Sequence, residues 1–194
     1  MRELAILTFV TLDGVMQSPR MPDEDLSGGF TKGGWAGACW DNVMESVREV
    51  AMSQPYDVLL GRNTYDRFAP AFSGSASPLD STTKYVVSSQ PINKEWKPTI
   101  EISGDIPAAI SALKKEDGPL LQVHGSHALI QLLLQHRLID EYRIWTFPIV
   151  LGAGKRLFDD GSIPVNLELQ RWEGLSSGAT MSVYRSVTRK QVNR

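Results

Sequence analysis

The chain has 194 residues, 42% of them hydrophobic and 22% charged, with a formal net charge of −2: enough for one full core and too little for two ordinary enzyme domains. That charge, with no long block of one sign, gives no general attraction to nucleic acid or to an anionic membrane. The single cysteine, Cys39, excludes an intrachain disulfide and any zinc site built from several thiolates.

The opening segment MRELAILTFVTLDG lacks the long apolar stretch and small-residue cleavage site of a secretory signal, and no run approaches the length of a membrane span. A single domain over residues 1–194, in the cytoplasm, is the expectation. Leu4 to Thr11 is almost wholly apolar and stops at Leu12-Asp13-Gly14, which predicts a strand buried on both faces and then a turn. Residues 17–37 are rich in glycine and proline and have no periodicity, so a long functional or mobile loop is expected there. From Asp41, apolar residues at 43, 44, 47, 50 and 51 predict a helix ending near Pro55.

Val58–Leu60 reads as the second strand, Tyr85–Ser88 as the third and Thr99–Ile102 as a short fourth. Pro107 sits at a first-turn position of a helix that runs to the Asp117-Gly118-Pro119 break. Leu120–Val123 is a further strand, turning at His124-Gly125-Ser126 into the apolar helix ALIQLLLQHRL. Tyr142–Val150 reads as a strand whose Pro148 suggests a sheet edge or a bulge. After the loop LGAGKRLF, residues 167–176 and 179–187 read as a closing antiparallel hairpin. Strands alternating with helices, then strands alone, predict an α/β domain with a mixed sheet.

Three strand ends carry donors. Gly61 is followed by the cation Arg62, by Asn63 and by the hydroxyl of Thr64, a set that suits a phosphate; a turn with a solvated arginine is the competing reading. Gly125-Ser126 opens a helix whose first free N–H groups favour an anion. Ser88-Ser89 offers two hydroxyls, which plain turn chemistry also explains. Ligands of open α/β sheets gather outside the carboxyl ends of the strands, so the three together fit a dinucleotide.

The segments FVTLDGVMQ at 9–17, LLGRNTYDRF at 59–68, YVVSS at 85–89, VHGSHALIQLLL at 123–134 and DEYRIWTFPIVLGAGKRLF from Asp140 span most of the chain. In that order they resemble the dihydrofolate reductase superfamily, and within it the group of the riboflavin-biosynthesis reductase (RibD C-terminal) domain and its stand-alone relatives. The resemblance implies a three-layer α/β/α fold with a mostly parallel sheet, and an NADPH-dependent reductase acting on a small-molecule substrate. It implies that Gly61, Arg62, Asn63 and Thr64 hold cofactor phosphates, with Ser88 and Ser89 on the adenosine ribose phosphate. Gly125, Ser126 and His127 would meet the pyrophosphate, and the first strand up to Met16 would lie beside the nicotinamide. The family often has Gly-Gly where this chain has Gly125-Ser126.

An acidic residue on the first helix orients the substrate in folate reductases, which nominates Asp41 and Glu45; solvated carboxylates at a helix start are the plain alternative. His124, His127 and His136 have no metal-ligand companions at helical spacing. Trp35 and Trp40 suit stacking on a flat ring or packing of the loop onto the core, and Lys155 and Arg156 suit a substrate phosphate or an exposed basic loop. A homodimer is expected from the resemblance and from the apolar segment YRIWTFPIV. The alternative function is a non-catalytic dinucleotide-binding or ligand-sensing module on the same fold.

Overall fold

A computed structural model describes residues 1–159 and 162–187; the remaining residues of the expected 1–194 domain lie outside the described set. The elements run β1 (Leu4–Thr11), α1 (Trp40–Ala51), β2 (Tyr56–Gly61), α2 (Arg62–Phe72), α3 (Pro78–Ser81), β3 (Lys84–Val87), β4 (Thr99–Ile102), α4 (Ile106–Lys115), β5 (Leu120–His124), α5 (His127–Gln135), β6 (Glu141–Phe147), β7 (Asn166–Gly174) and β8 (Thr180–Val187). The eight strands form one sheet in the order β4-β3-β2-β5-β1-β6-β8-β7. Strands β1 to β6 pair in parallel, while β8 is antiparallel to β6 and β7 to β8. The expected mixed, mostly parallel sheet with a C-terminal hairpin is therefore present. No helix among the described residues is long and apolar enough to cross a membrane.

Strand alternation sends successive side chains to opposite faces, and this divides the core. On one face Leu4, Ile6, Val10, Leu59, Leu121 and Val123 pack under Ile110 of α4 and Ile130 of α5. On the other, Leu7, Trp145 and Phe147 pack under Val43 and Val47 of α1, and Val58, Leu60 and Val86 under Tyr65 of α2. Each such fully buried side chain stabilises the fold by about 1.5–3 kcal/mol relative to exposure, so β1, buried on both faces, anchors all three layers.

The segment after Gly61, to which no element was assigned above, is a helix: Tyr65, Phe68, Ala69 and Phe72 recur at helical spacing and bury one face against β2 and β3, with Pro70 in the last turn. One expectation needs correction. The strand expected over Tyr142–Val150 ends at Phe147, before Pro148, and lies inside the sheet between β1 and β8 rather than at an edge. Pro148 breaks the strand instead of bordering the sheet.

The amino-terminal edge of the sheet is held by a buried ion pair. Arg2 bonds Asp57, the Pro119 carbonyl at 2.8 Å and the Tyr85 hydroxyl at 3.1 Å, and its side chain is 2% exposed. The other carboxylate oxygen of Asp57 accepts the Thr83 amide at 3.1 Å, joining β1 to β2 and to the start of β3.

Candidate active site

The carboxyl edge of the sheet brings together residues that lie far apart in sequence. The Ser126 hydroxyl accepts the Gly61 amide at 2.9 Å and donates to Thr64 Oγ1 at 2.7 Å, pinning the β5–α5 turn to the β2–α2 junction. Gly125 and Ser126 both have left-handed backbone, with φ of 58° and 62°, a conformation that glycine adopts without strain and serine adopts at a cost. The serine hydroxyl bridges two strand ends, a link that a second glycine could not make. Neither α2 nor α5 has a side-chain N-cap, so their first-turn amides face the edge without an internal acceptor from a cap.

Beside this cradle, α1 and α2 cover the same face of the sheet. On one flank of α1, Asn42 accepts from the Ser177 hydroxyl at 2.9 Å and Glu49 accepts from Arg171 at 2.9 Å, so that flank faces the C-terminal hairpin. At about 100° per residue, Asp41 and Glu45 lie about 40° apart on the side of α1 away from the buried line Val43–Val47, and both are exposed. The loop 17–37 reaches both helices: Arg20 lies over the Trp40 ring of α1 at 5.6 Å, and Arg67 of α2 donates to the Asp23 carbonyl at 3.1 Å.

That loop is strapped down. Gln17 donates to the carbonyls of Asp25 and Ser27 at 3.0 Å each and accepts the Lys155 amide at 3.0 Å. Lys155 pairs with Asp25 at 2.6 Å, and Lys32 donates to the Leu151 carbonyl at 2.6 Å. Burial raises the Asp25 pKa, but the Lys155 ammonium and the Ser27 donors outweigh it and hold it at about 2. Asp13, just past β1, accepts from the Thr11 hydroxyl and the amides of Leu151 and Gly152; the hydroxyl first, then the amides, hold its carboxyl at about 2. Gly154, at φ 125°, lets the loop pass so close that a Cβ there would lie 2.7 Å from Val15 and 2.8 Å from Phe30. A groove of about 460 Å³ remains between the strap and this glycine loop.

The middle of the sheet face under these helices is polar and buried. Gln122 donates to the Ala51 carbonyl, His124 Nε2 lies 3.0 Å from Gln122 Oε1, and the Tyr56 ring stacks on the imidazole at 6.1 Å. Burial, and then the Arg143 cation, push the His124 pKa down to about 4 from the ordinary 6.5. Between those values the unfolded chain takes up a proton that the folded chain refuses, so this residue makes stability fall as pH drops through that window, by at most about 3 kcal/mol. Asp13 and Asp25 act only below 3.8. A His124→Phe variant is therefore expected to show a flatter dependence of Tm on pH between 6.5 and 4 than the parent; equal slopes would contradict the assignment.

The residues nominated from sequence separate into groups. Gly61, Thr64, Gly125 and Ser126 meet directly. Arg62 sits at the start of α2, 41% exposed, paired only with Asp66 at 3.2 Å among the described residues, and Asn63 beside it is exposed. Ser88 is buried and its hydroxyl is spent on the Gln90 backbone, whereas Ser89 faces solvent. The His127 ring bonds Asp159 at 2.9 Å and the Arg156 carbonyl at 3.1 Å, tying α5 to the loop after β6. Met16 is buried in the cluster that holds Val10 and Leu157. Trp35 packs edge-on against Phe147 and Trp40 against Phe9, and Lys155 and Arg156 are paired with Asp25 and Asp13. The sequence reading missed Asp13, Gln17 and His124, whose partners are all distant or unremarkable in sequence.

Against known proteins, the model of the RibD C-terminal domain matches residues 2–181. The uncharacterized protein YyaP of Bacillus subtilis (strain 168) is 30% identical over 142 residues, covering 69% of this chain and 75% of that one. Among solved structures, a diaminohydroxyphosphoribosylaminopyrimidine deaminase/5-amino-6-(5-phosphoribosylamino)uracil reductase of Thermotoga maritima superposes with a TM-score of 0.65 at 16% identity, over 96% of this chain and 57% of that one. The dihydrofolate reductase of Enterococcus faecalis, complexed with NADP(H), gives 0.62 at 15% identity, over 95% and 96%. These structural likenesses carry the dihydrofolate reductase-like fold.

Proposed function

The chain belongs to the RibD C-terminal domain family, and on that footing we propose that it is an NADPH-dependent oxidoreductase that transfers hydride to a small heterocycle, pterin-, pyrimidine- or sugar-bearing. The observation that carries the reading is the pinned pair of helix starts, Gly61-Arg62 and Gly125-Ser126, at the carboxyl edge of the sheet. Both starts lack side-chain caps, and an accessible arginine adjoins them, a donor set that fits a pyrophosphate and a further phosphate. The cofactor, when bound, supplies the hydride.

The protein's part is binding and orientation. Arg62 releases Asp66 and pairs with a phosphate, and Ser89 donates to the ribose phosphate. The first-turn amides of α2 and α5, those of Asn63 and His127 included, take the remaining phosphate oxygens. Asp41, in the exposed first turn of α1, holds a donor of the substrate ring, while the loop 17–37 keeps bulk water from the reacting groups.

Arg62→Ala tests the anchoring directly. Losing a charge-assisted hydrogen bond costs about 1.5–3 kcal/mol, or roughly ten- to a hundredfold in NADPH affinity, with Tm unchanged because Arg62 pairs only on the surface. Fluorescence titration with NADPH and NADH reads where the contact falls, since a loss confined to NADPH means the 2′-phosphate and an equal loss means the pyrophosphate. Parent-like binding of both by the variant would remove Arg62 from the site.

We also propose a homodimer. With β6 inside the sheet, the edges are β4 and β7, and β7 carries the larger exposed apolar side chains, Leu169 at 53% and Trp172 at 61%. Light scattering is expected to give twice the 21.5 kDa chain mass, and Trp172→Asp to give the single mass. A parent that stays at 21.5 kDa would contradict the dimer.

A further inference from the structure

The groove between the strap and the glycine loop has a cationic lining. Lys32 from the strap and Lys155 from the glycine loop line it, no aspartate or glutamate does, and it shares no residue with the cradle at Gly61 and Gly125 or with α1. Its volume of about 460 Å³ falls in the range of small-molecule pockets, roughly 300–1,000 Å³, and exceeds what a bare ion fills. Packing sets its walls, because the buried Phe30 ring lies 2.8 Å from where a Cβ on Gly154 would stand.

Donors on both walls are unspent. The amides of Leu151, Gly152, Lys155 and Arg156 go to Asp13, Gln17 and Asp159, but those of Ala153 and Gly154 between them have no acceptor among the described residues. Across the groove the same holds for the Thr31 amide and hydroxyl and for the Lys32 amide. An ammonium has three donors; Lys32 Nζ spends one on the Leu151 carbonyl and Lys155 Nζ one on Asp25, which lies outside the lining. Gln17, by contrast, is saturated by the Asp25 and Ser27 carbonyls and the Lys155 amide, and so holds Lys155 in place.

We infer that this groove is a second anion site, separate from the cradle, which takes a small molecule carrying a phosphate group between Lys32 and Lys155. A phosphate has three terminal oxygens and meets donors on both walls at once, whereas a planar carboxylate has two. Because Lys32 belongs to the strap and Lys155 to the glycine loop, the bound anion joins the two walls. Occupancy therefore tightens the strap over residues 17–37.

The test uses the intact, nitrogen-labelled protein, titrated with phenyl phosphate and with phenol, with and without saturating NADP+. The amides of Thr31, Lys32, Ala153 and Gly154 are expected to shift with phenyl phosphate on one saturating curve, with a dissociation constant of about 1 mM or tighter, and to ignore phenol. The curve should be the same with NADP+ present. The Gly61 and Gly125 amides report the cradle separately, so their indifference to NADP+ would defeat the cofactor reading and leave the groove measurement standing. Lys32→Ala, which gives up one exposed hydrogen bond, should weaken phenyl phosphate binding roughly tenfold. Arg156→Ala, next to Lys155 but outside the lining, should leave it unchanged and so separates a built site from a general basic patch. No saturation by about 100 mM phenyl phosphate, an equal response to phenol, displacement by NADP+, or equal affinity in the two variants overturns the inference.

Discussion

Asp57→Ala is expected to lower the stability of the fold by about 3–5 kcal/mol, because it leaves the Arg2 guanidinium buried without its counter-charge. The remaining acceptors of Arg2, the Pro119 carbonyl and the Tyr85 hydroxyl, are neutral and leave the charge uncompensated. The Thr83 amide also loses its acceptor, which loosens the start of β3. Removing both charges together, as Arg2→Met with Asp57→Leu, should recover much of the loss, since a buried pair replaced by apolar groups is often near neutral. Urea titration of the three proteins reads this. A single variant within 1 kcal/mol of the parent, well below the range for such pairs, would mean that the ion pair is solvated.

Asp41→Asn is expected to lower kcat/KM for any accepted heterocycle by roughly ten- to a hundredfold, the cost of losing a charge-assisted hydrogen bond, with NADPH affinity near that of the parent. Glu45→Gln should change turnover little, because α1 runs from Trp40 at Phe9 to Ala51 at Gln122 and Glu45 lies one helical turn further from the carboxyl edge of the sheet. The pair is decided by assaying both variants against oxidised pyrimidines and pterins through the loss of reduced-nicotinamide absorbance. The reverse pattern would mean that Glu45 is the carboxylate that meets the substrate, and equal insensitivity of both would mean that neither does.

Much of the architecture is legible in the sequence because its signals are local. Leu4–Thr11 is apolar at every other residue on both faces, which is the pattern of a central strand, and β1 is central. The helix after Gly61 also had its signal, Tyr65, Phe68, Ala69 and Phe72, but the turn-like Gly-Arg-Asn-Thr and Pro70 obscured it. Pro148 read as an edge marker because a proline near a strand end looks the same whether it interrupts the strand or ends it.

The site divides along the same line. Gly61, Thr64, Gly125 and Ser126 are strand-end residues, and strand ends can be located from pattern alone. The hydroxyl bridge from Ser126 to Gly61 and Thr64 joins positions more than sixty residues apart, which no local pattern reports. Asp13, Gln17 and Asp25 act through Gly152 and Lys155 across 130 residues or more. His124 looked plain while histidines were weighed as metal ligands, since its significance lies in interrupting an apolar face that exists only once the sheet is assembled.

Calorimetric titration of the purified chain with NADPH bears most directly on the proposed activity. The account predicts one saturable site per chain, tighter for NADPH than for NADH, and weakened in Arg62→Ala. Absence of binding by both NADPH and NADP+ at millimolar cofactor would contradict it, whatever the fold resembles.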